Sequence, residues 1–150
     1  MKLTTLLEQH SKDIKTDLHL NQEGVCHIVT NGVTVSLEES EDHVIFIYTQ
    51  IAKLSEKDNG VIFERLLQAN LYGVETEGAV FALDTSGTQV ILFCRLASEH
   101  LEYPAYRNQF DQFVEQTQYW KDAWSEFTLN RAPSSGERDA HEDSHPRIKP

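Results

Sequence analysis

The sequence predicts a single α+β domain with the element order α-β-β-β-α-β-β-α. Three observations carry that reading. Apolar residues recur at helical spacing near both ends of the chain and once in its middle. Between these stretches lie short apolar or alternating runs of strand length. Turn chemistry joins two pairs of runs, Asn31-Gly32 in the first and Asp84-Thr85-Ser86-Gly87 in the second. A chain of 150 residues is long enough for one domain with a sizeable core and short for two.

Taken in order, Leu3, Leu6, Leu7, Ile14 and Leu18 fall mostly at helical spacing, with polar residues on the other faces, and predict an amphipathic helix over roughly residues 2–16. Asn21 to Gly24 break it. Val25 to Thr30 and Val33 to Leu37 are β-branched alternating runs around Asn31-Gly32, a pair suited to the positive φ angles of a type I′ hairpin turn. A third strand, His43 to about Ile51, follows the acidic turn Glu38 to Asp42. A second helix begins near Asp58 and is apolar on more than one face, which places it in a core or at a subunit interface; Gly73 suits its exit. Two further strands span about 79–83 and 88–96. Pro104 opens the last helix, where its missing N–H costs nothing. That helix carries Tyr106, Phe110, Phe113, Thr117, Trp120, Trp124 and Phe127 in steps of three and four. The domain is therefore assigned to residues 1–130. Residues 131–150 contain one large apolar side chain, Ile148, and are expected to form a disordered polar tail.

The chain has 24 acidic and 13 basic side chains, a formal net charge of -11, and no Lys/Arg cluster, so nucleic acid is excluded as a partner. The longest apolar runs have five residues against the roughly 20 of a membrane span, so membrane insertion is excluded too. The first residues meet Glu8 before any signal-peptide core can form, and the expected location is cytoplasmic. Cys26 and Cys94 sit in apolar strands and read as buried, reduced thiols.

The search for chemistry returns little. Seven histidines are scattered over helices, strands, loops and the tail, and none has zinc-ligand spacing supported by cysteines. His141 and His145 are the one pair spaced for chelation, and a metal site there is not expected. Neither the dinucleotide-binding glycine pattern nor the Walker pattern occurs. No catalytic residue, cofactor or metal is expected, and the protein reads as a non-enzyme.

One set of positions does form a pattern: Leu66, Leu67, Ala69 and Asn70 at a helix end, Gly78 and Ala79 at a strand start, Leu83, Asp84 and Gly87 at a turn, then Val90 and Leu92. The last helix adds Phe113, Val114, Glu115 and Trp120. In this order, in an acidic chain of this size, they resemble the Tir chaperone (CesT) family, the class I chaperones of bacterial type III secretion, over about residues 3–127. The resemblance implies a homodimer of secretion-chaperone-like fold with no enzymatic activity. It implies a partner as well: the N-terminal chaperone-binding segment of a secreted effector, held extended, soluble and secretion-competent, and delivered to the export ATPase. Candidate effector contacts are Leu3, Leu6, Leu7 and Ile14 of the first helix and Ile28, Val33, Val35, Leu37, Ile45 and Ile47 of the first three strands. Alternation alone leaves open whether Ile45 or Phe46 faces outward. Candidate dimer contacts are Val61, Ile62, Leu66, Ala69, Leu83 and Leu92. Two other readings compete: a YbjN-like adaptor or regulatory domain of similar fold, and a small enzyme with a dispersed site.

Overall fold

The computed structural model of the chain describes residues 1–55 and 59–129. The expectations placed on Asp58 and on residues 131–150, His141 and His145 included, lie outside the described residues. The elements are α1 (Leu3–Ile14), β1 (Val25–Thr30), β2 (Val33–Glu39), β3 (Val44–Lys53), α2 (Gly60–Ala69), β4 (Val80–Leu83), β5 (Gln89–Ala97) and α3 (Tyr103–Leu129). The expected order holds. The addition to it is a short 3-10 turn, Leu71–Gly73, directly after α2.

All five strands form one antiparallel sheet in the order β1-β2-β3-β5-β4. Asn31 and Gly32 adopt φ of 48° and 77°, both positive as the two-residue hairpin requires, and this turn fixes Thr30 opposite Val33. Asp84 closes the other hairpin: its Oδ1 accepts the N–H groups of Thr88 and Gln89, each at 2.8 Å. A bulge at Ile51 breaks the β3–β5 register between Gln50 and Ala52.

Helices α1 and α3 cover one face of the sheet. The buried residues of that face are Cys26 and Ile28, then Val33, Val35 and Leu37, then Ile45, Ile47 and Thr49, then Val90 and Leu92, then Phe81. Tyr106, Phe110, Phe113, Val114 and Trp120 of α3 pack over them with Leu3, Leu6 and Leu7 of α1. Helix α1 has no side-chain cap of its own. The Glu39 carboxylate at the end of β2 accepts the Leu3 N–H at 2.9 Å and the Ser98 hydroxyl at 2.7 Å, so a negative group satisfies a helix N-terminus from across the fold.

Helix α2 lies off this layer, against β4. The Asn70 side chain takes the place of a neighbouring strand there: its Oδ1 accepts the Phe81 N–H at 2.7 Å and its Nδ2 donates to the Phe81 carbonyl at 3.0 Å. Thr76 continues the closure, bonding the Ala79 N–H and carbonyl at 3.0 and 2.6 Å. Phe81 meets Trp120 edge-to-face with ring centroids 4.8 Å apart, and the Arg65 guanidinium lies 5.4 Å from the Trp120 ring centre. Replacing Asn70 by alanine frees both backbone groups of Phe81 and is expected to cost about 1–3 kcal/mol in urea unfolding. An unchanged midpoint would show that the clamp contributes nothing.

Candidate functional site

The face of the sheet opposite α1 and α3 has no helix over it among the described residues. Strand pairing sets one row of side chains across it in register: His27 opposite Ser36, Ser36 opposite Tyr48, Tyr48 opposite Phe93, and Phe93 opposite Val80. Phe46 stands beside the row, its ring centroid 6.5 Å from that of Phe93. Polar groups rim these side chains. His27 Nδ1 lies 2.9 Å from the Ser36 hydroxyl, and Phe46 has Glu38 opposite on one side and Arg95 on the other. Val29, on the same face of β1, is 75% exposed.

The two edges of this sheet differ in chemistry. At β4 the Asn70 and Thr76 bonds occupy the outward backbone groups of Phe81 and Ala79. At β1 the register leaves the odd residues pointing outward. Asn21 bonds both backbone groups of Val25. No described group bonds the outward N–H and C=O of His27 and Val29. Beside the closed β4 edge lies a second apolar surface: Val61 and Leu67 of α2, Leu71 and Tyr72 of the 3-10 turn, Val74, and Val80 and Leu83 of β4 are all exposed. Tyr72 stands out, with φ at 57° and 91% exposure. A bulky residue in the left-handed region is strained by about 1–2 kcal/mol.

The candidate effector contacts fall as follows. Leu3, Leu6, Leu7, Ile28, Val33, Val35, Leu37, Ile45 and Ile47 are buried on the helix-covered face, and Ile14 is half-buried. Among the candidate dimer contacts, Val61 and Leu83 are exposed, while Ile62, Leu66, Ala69 and Leu92 are buried, Ile62 and Leu66 at the base of grooves beside α2. Sequence reasoning missed the open-face residues Val29, Phe46, Tyr48 and Phe93. The clean alternation Val33-Thr34-Val35-Ser36-Leu37 already marks the face that carries Tyr48 as the more polar one.

Among the groups with displaced pKa values, His10, Cys94 and Tyr106 are enclosed by packing, whereas Asp84 lies in an exposed turn and Tyr48 on the open sheet face. Burial raises the Cys94 thiol to about 12 and also raises Cys26, so both free cysteines remain protonated near neutrality. His10 is buried between α1 and α3. Arg107 can only donate, so the Nε2 it contacts must accept; Nδ1 then carries the proton and donates to the Tyr106 hydroxyl at 2.9 Å. Burial, and then the Arg107 charge, lower His10 to about 4. Among the described residues no cluster of three His, Cys, Asp or Glu could hold a metal ion, and no helix is long and apolar enough to cross a membrane.

The sequence matches the Tir chaperone protein (CesT) family over residues 5–121. The chain belongs to this family. Similar solved structures share its fold at low identity. A chain of the ExsC–ExsE complex superposes with a TM-score of 0.67 at 18% identity, covering 91% of this chain and 100% of that one. A chain of the HopA1–SchA chaperone–effector complex gives 0.66 at 16%, covering 79% and 92%. YbjN from E. coli gives 0.56 at 14%, covering 85% and 94%. No curated protein sequence matches the chain.

The His10 arrangement has a pH consequence. Its folded pKa lies below the ordinary value of about 6.5, so the unfolded chain binds more protons as pH falls. Stability is then fully present above pH 6.5 and lost progressively down to about 4. Urea midpoints measured from pH 7 to 4.5 should decline, and His10→Gln should flatten the part of the decline above pH 5. A wild-type profile flat across that range would refute the assignment.

Proposed function

We propose that this chain is a cytoplasmic chaperone without catalytic activity that binds the N-terminal chaperone-binding segment of a type III secreted effector in extended form. It keeps that segment soluble and competent for secretion, hands it to the export ATPase, and works as a homodimer. Family membership supports the class of function. The single observation that carries the mode of binding is the unroofed sheet face beside the β1 edge, where the outward backbone of His27 and Val29 has no partner among the described residues. An extended segment can pair with His27 and Val29 and lay alternate side chains along Val29, Phe46, Tyr48 and Phe93. The net charge of -11 draws in a basic segment over long range, an attraction that salt screens.

On this reading the inward residues Leu3, Leu6, Leu7, Ile28, Val33, Val35, Leu37, Ile45 and Ile47 act on the effector through the shape they give the sheet. Ile14 is within reach at the surface. Homodimerisation falls to the apolar surface around α2: Val61 and Leu83 make contact, Ile62 and Leu66 floor the grooves, and Ala69 and Leu92 back them from the core. Two further features agree with this function: complexes of a chaperone with its effector include a chain of this fold, and an apolar surface beside α2 is exposed on the single chain. The adaptor reading has the fold likeness to YbjN alone behind it.

Val29→Pro provides the test. Its N–H has no partner in the sheet, so proline at this edge position should shift stability by less than about 1 kcal/mol. Binding of a co-expressed effector N-terminal segment, identified by affinity purification from the native host, should weaken at least tenfold. Phe46→Glu should do the same from the open face. Undiminished capture by both variants would exclude this surface as the docking site.

A further inference from the structure

We infer that Asn21 ends the docking edge of β1, so that an effector strand pairs with His27 and Val29 alone and sets a basic side chain against Glu23 and Glu38 at that end. This rests on the docking reading above and says where the client strand stops and which charge it carries there.

The edge is short because its first outward residue is already taken. The Asn21 N–H donates to the Val25 carbonyl at 2.8 Å, and its Oδ1 accepts the Val25 N–H at 3.0 Å and the Glu23 N–H at 2.9 Å. The Gly24 N–H closes the turn on the Asn21 carbonyl at 3.0 Å, and Gly24 supplies the positive φ of 80° that the reversal needs. Asparagine does here what Asn70 does at β4: it satisfies both backbone groups of one strand residue, which then has none to offer another strand. Past Val25 the register turns the backbone of Cys26 and Ile28 toward β2 and that of His27 and Val29 outward. At the far end the Asn31 carbonyl accepts Gln118 Nε2 at 3.0 Å. His27 and Val29, each with one N–H and one C=O, give a client at most four backbone hydrogen bonds.

Charge sets the two ends of this edge apart. Glu38 stands opposite Val25 in the β1–β2 register, and Glu23 lies in the turn that Asn21 closes. Both carboxylates act on the open face. The Tyr48 hydroxyl donates to Glu38 Oε2 at 3.4 Å, and burial first, then the charges of Glu38 and Glu23, raise the Tyr48 phenol above its ordinary value. Among the described residues no lysine, arginine or histidine forms an ion pair with either carboxylate. The Asn31 end differs, because Lys121 and Asp122 lie together beside that turn and their charges balance. An extended segment laid on β1 meets unpaired negative charge at the Asn21 end and not at the Asn31 end, so a basic residue is favoured at the former.

The stop and the charge have different tasks. The stop limits how far a segment can pair and makes it leave the edge at Val25. Backbone pairing alone accepts any register, because every residue other than proline carries the same two groups. A basic side chain held by Glu23 and Glu38 removes that degeneracy by choosing which client residue sits at the stop. A segment reversed end to end keeps its hydrogen bonds and loses this contact.

The probe is the effector segment that co-purifies with the full chain from the native host, resynthesised as a peptide. Residue-resolved hydrogen exchange should show the His27 and Val29 amides slowed by the peptide and the Val25 amide slow with or without it. Asn21→Ala should speed Val25 exchange in the free chain. Glu23→Gln combined with Glu38→Gln should weaken the peptide about fivefold at low salt and leave its affinity unchanged at high salt, while Glu115→Gln on α3 should have no effect. A Val25 amide that the peptide itself protects, or that Asn21→Ala leaves slow, would overturn the stop. A double variant that binds as wild type at low salt would overturn the charge assignment. In both cases protection of His27 and Val29 would leave the docking reading standing; peptide binding that protects neither would remove that reading and this inference together.

Discussion

The two hydrogen bonds between Asn70 and Phe81 decide how this molecule presents itself. Strand β4 has four residues and stands at the end of the sheet, where its outward backbone would otherwise be a template for another strand. The carboxamide is the side chain that can donate and accept in one plane, so it completes Phe81 as a further strand would. It also ties the end of α2 to the sheet edge, with Trp120 and Arg65 packed behind. At Phe81 this end of the sheet therefore offers side chains to a partner, its backbone being occupied. The other, at His27 and Val29, offers backbone. Side-chain recognition of a shaped surface suits a folded copy of the same chain, and backbone pairing suits an extended segment of unrelated sequence.

The element order and both hairpin turns were legible in the sequence because each rests on local chemistry: two residues with positive φ at Asn31 and Gly32, an aspartate that accepts two N–H groups at Asp84, and a proline in the first turn of α3. The uncovered face of the sheet was less legible. Alternation shows that a strand has two faces without saying which one α1 and α3 will cover, and in β3 both faces are apolar, Ile45 and Ile47 on one and Phe46 and Tyr48 on the other. The deciding information lay one strand away, in Thr34, Ser36 and Glu38 of β2. Combined with the register, these polar residues mark the face with Phe46 and Tyr48 as the uncovered one. Tyr72 could not be read at all, because a tyrosine in the left-handed region carries no propensity signal.

The helix-end motif Leu66-Leu67-x-Ala69-Asn70 acquires a physical reading from the structure. Leu66 and Ala69 point inward, Ala69 fully buried, while Leu67 projects outward at 70% exposure and Asn70 bonds the backbone of Phe81 at the edge. Four common residues thus specify a helix position, an exposed apolar side chain and an edge cap within five residues. Their combination marks a family although each is ordinary alone, because the geometry needs all of them together.

Helix α1 is held at three points: Glu39 caps its first turn, His10 meets Tyr106 and Arg107 in its middle, and Asp13 accepts the Tyr103 hydroxyl near its end. A helix fixed in this way does not lift off to expose the core beneath it, and the leucines it shares with the sheet stay out of reach of a client. The surface available to an extended segment is then the one already formed. The chaperone is preorganised, and the cost of ordering falls on the client chain. On the proposed mode of binding, the interaction draws its strength from backbone pairing and a few seated side chains, and the bound segment stays extended.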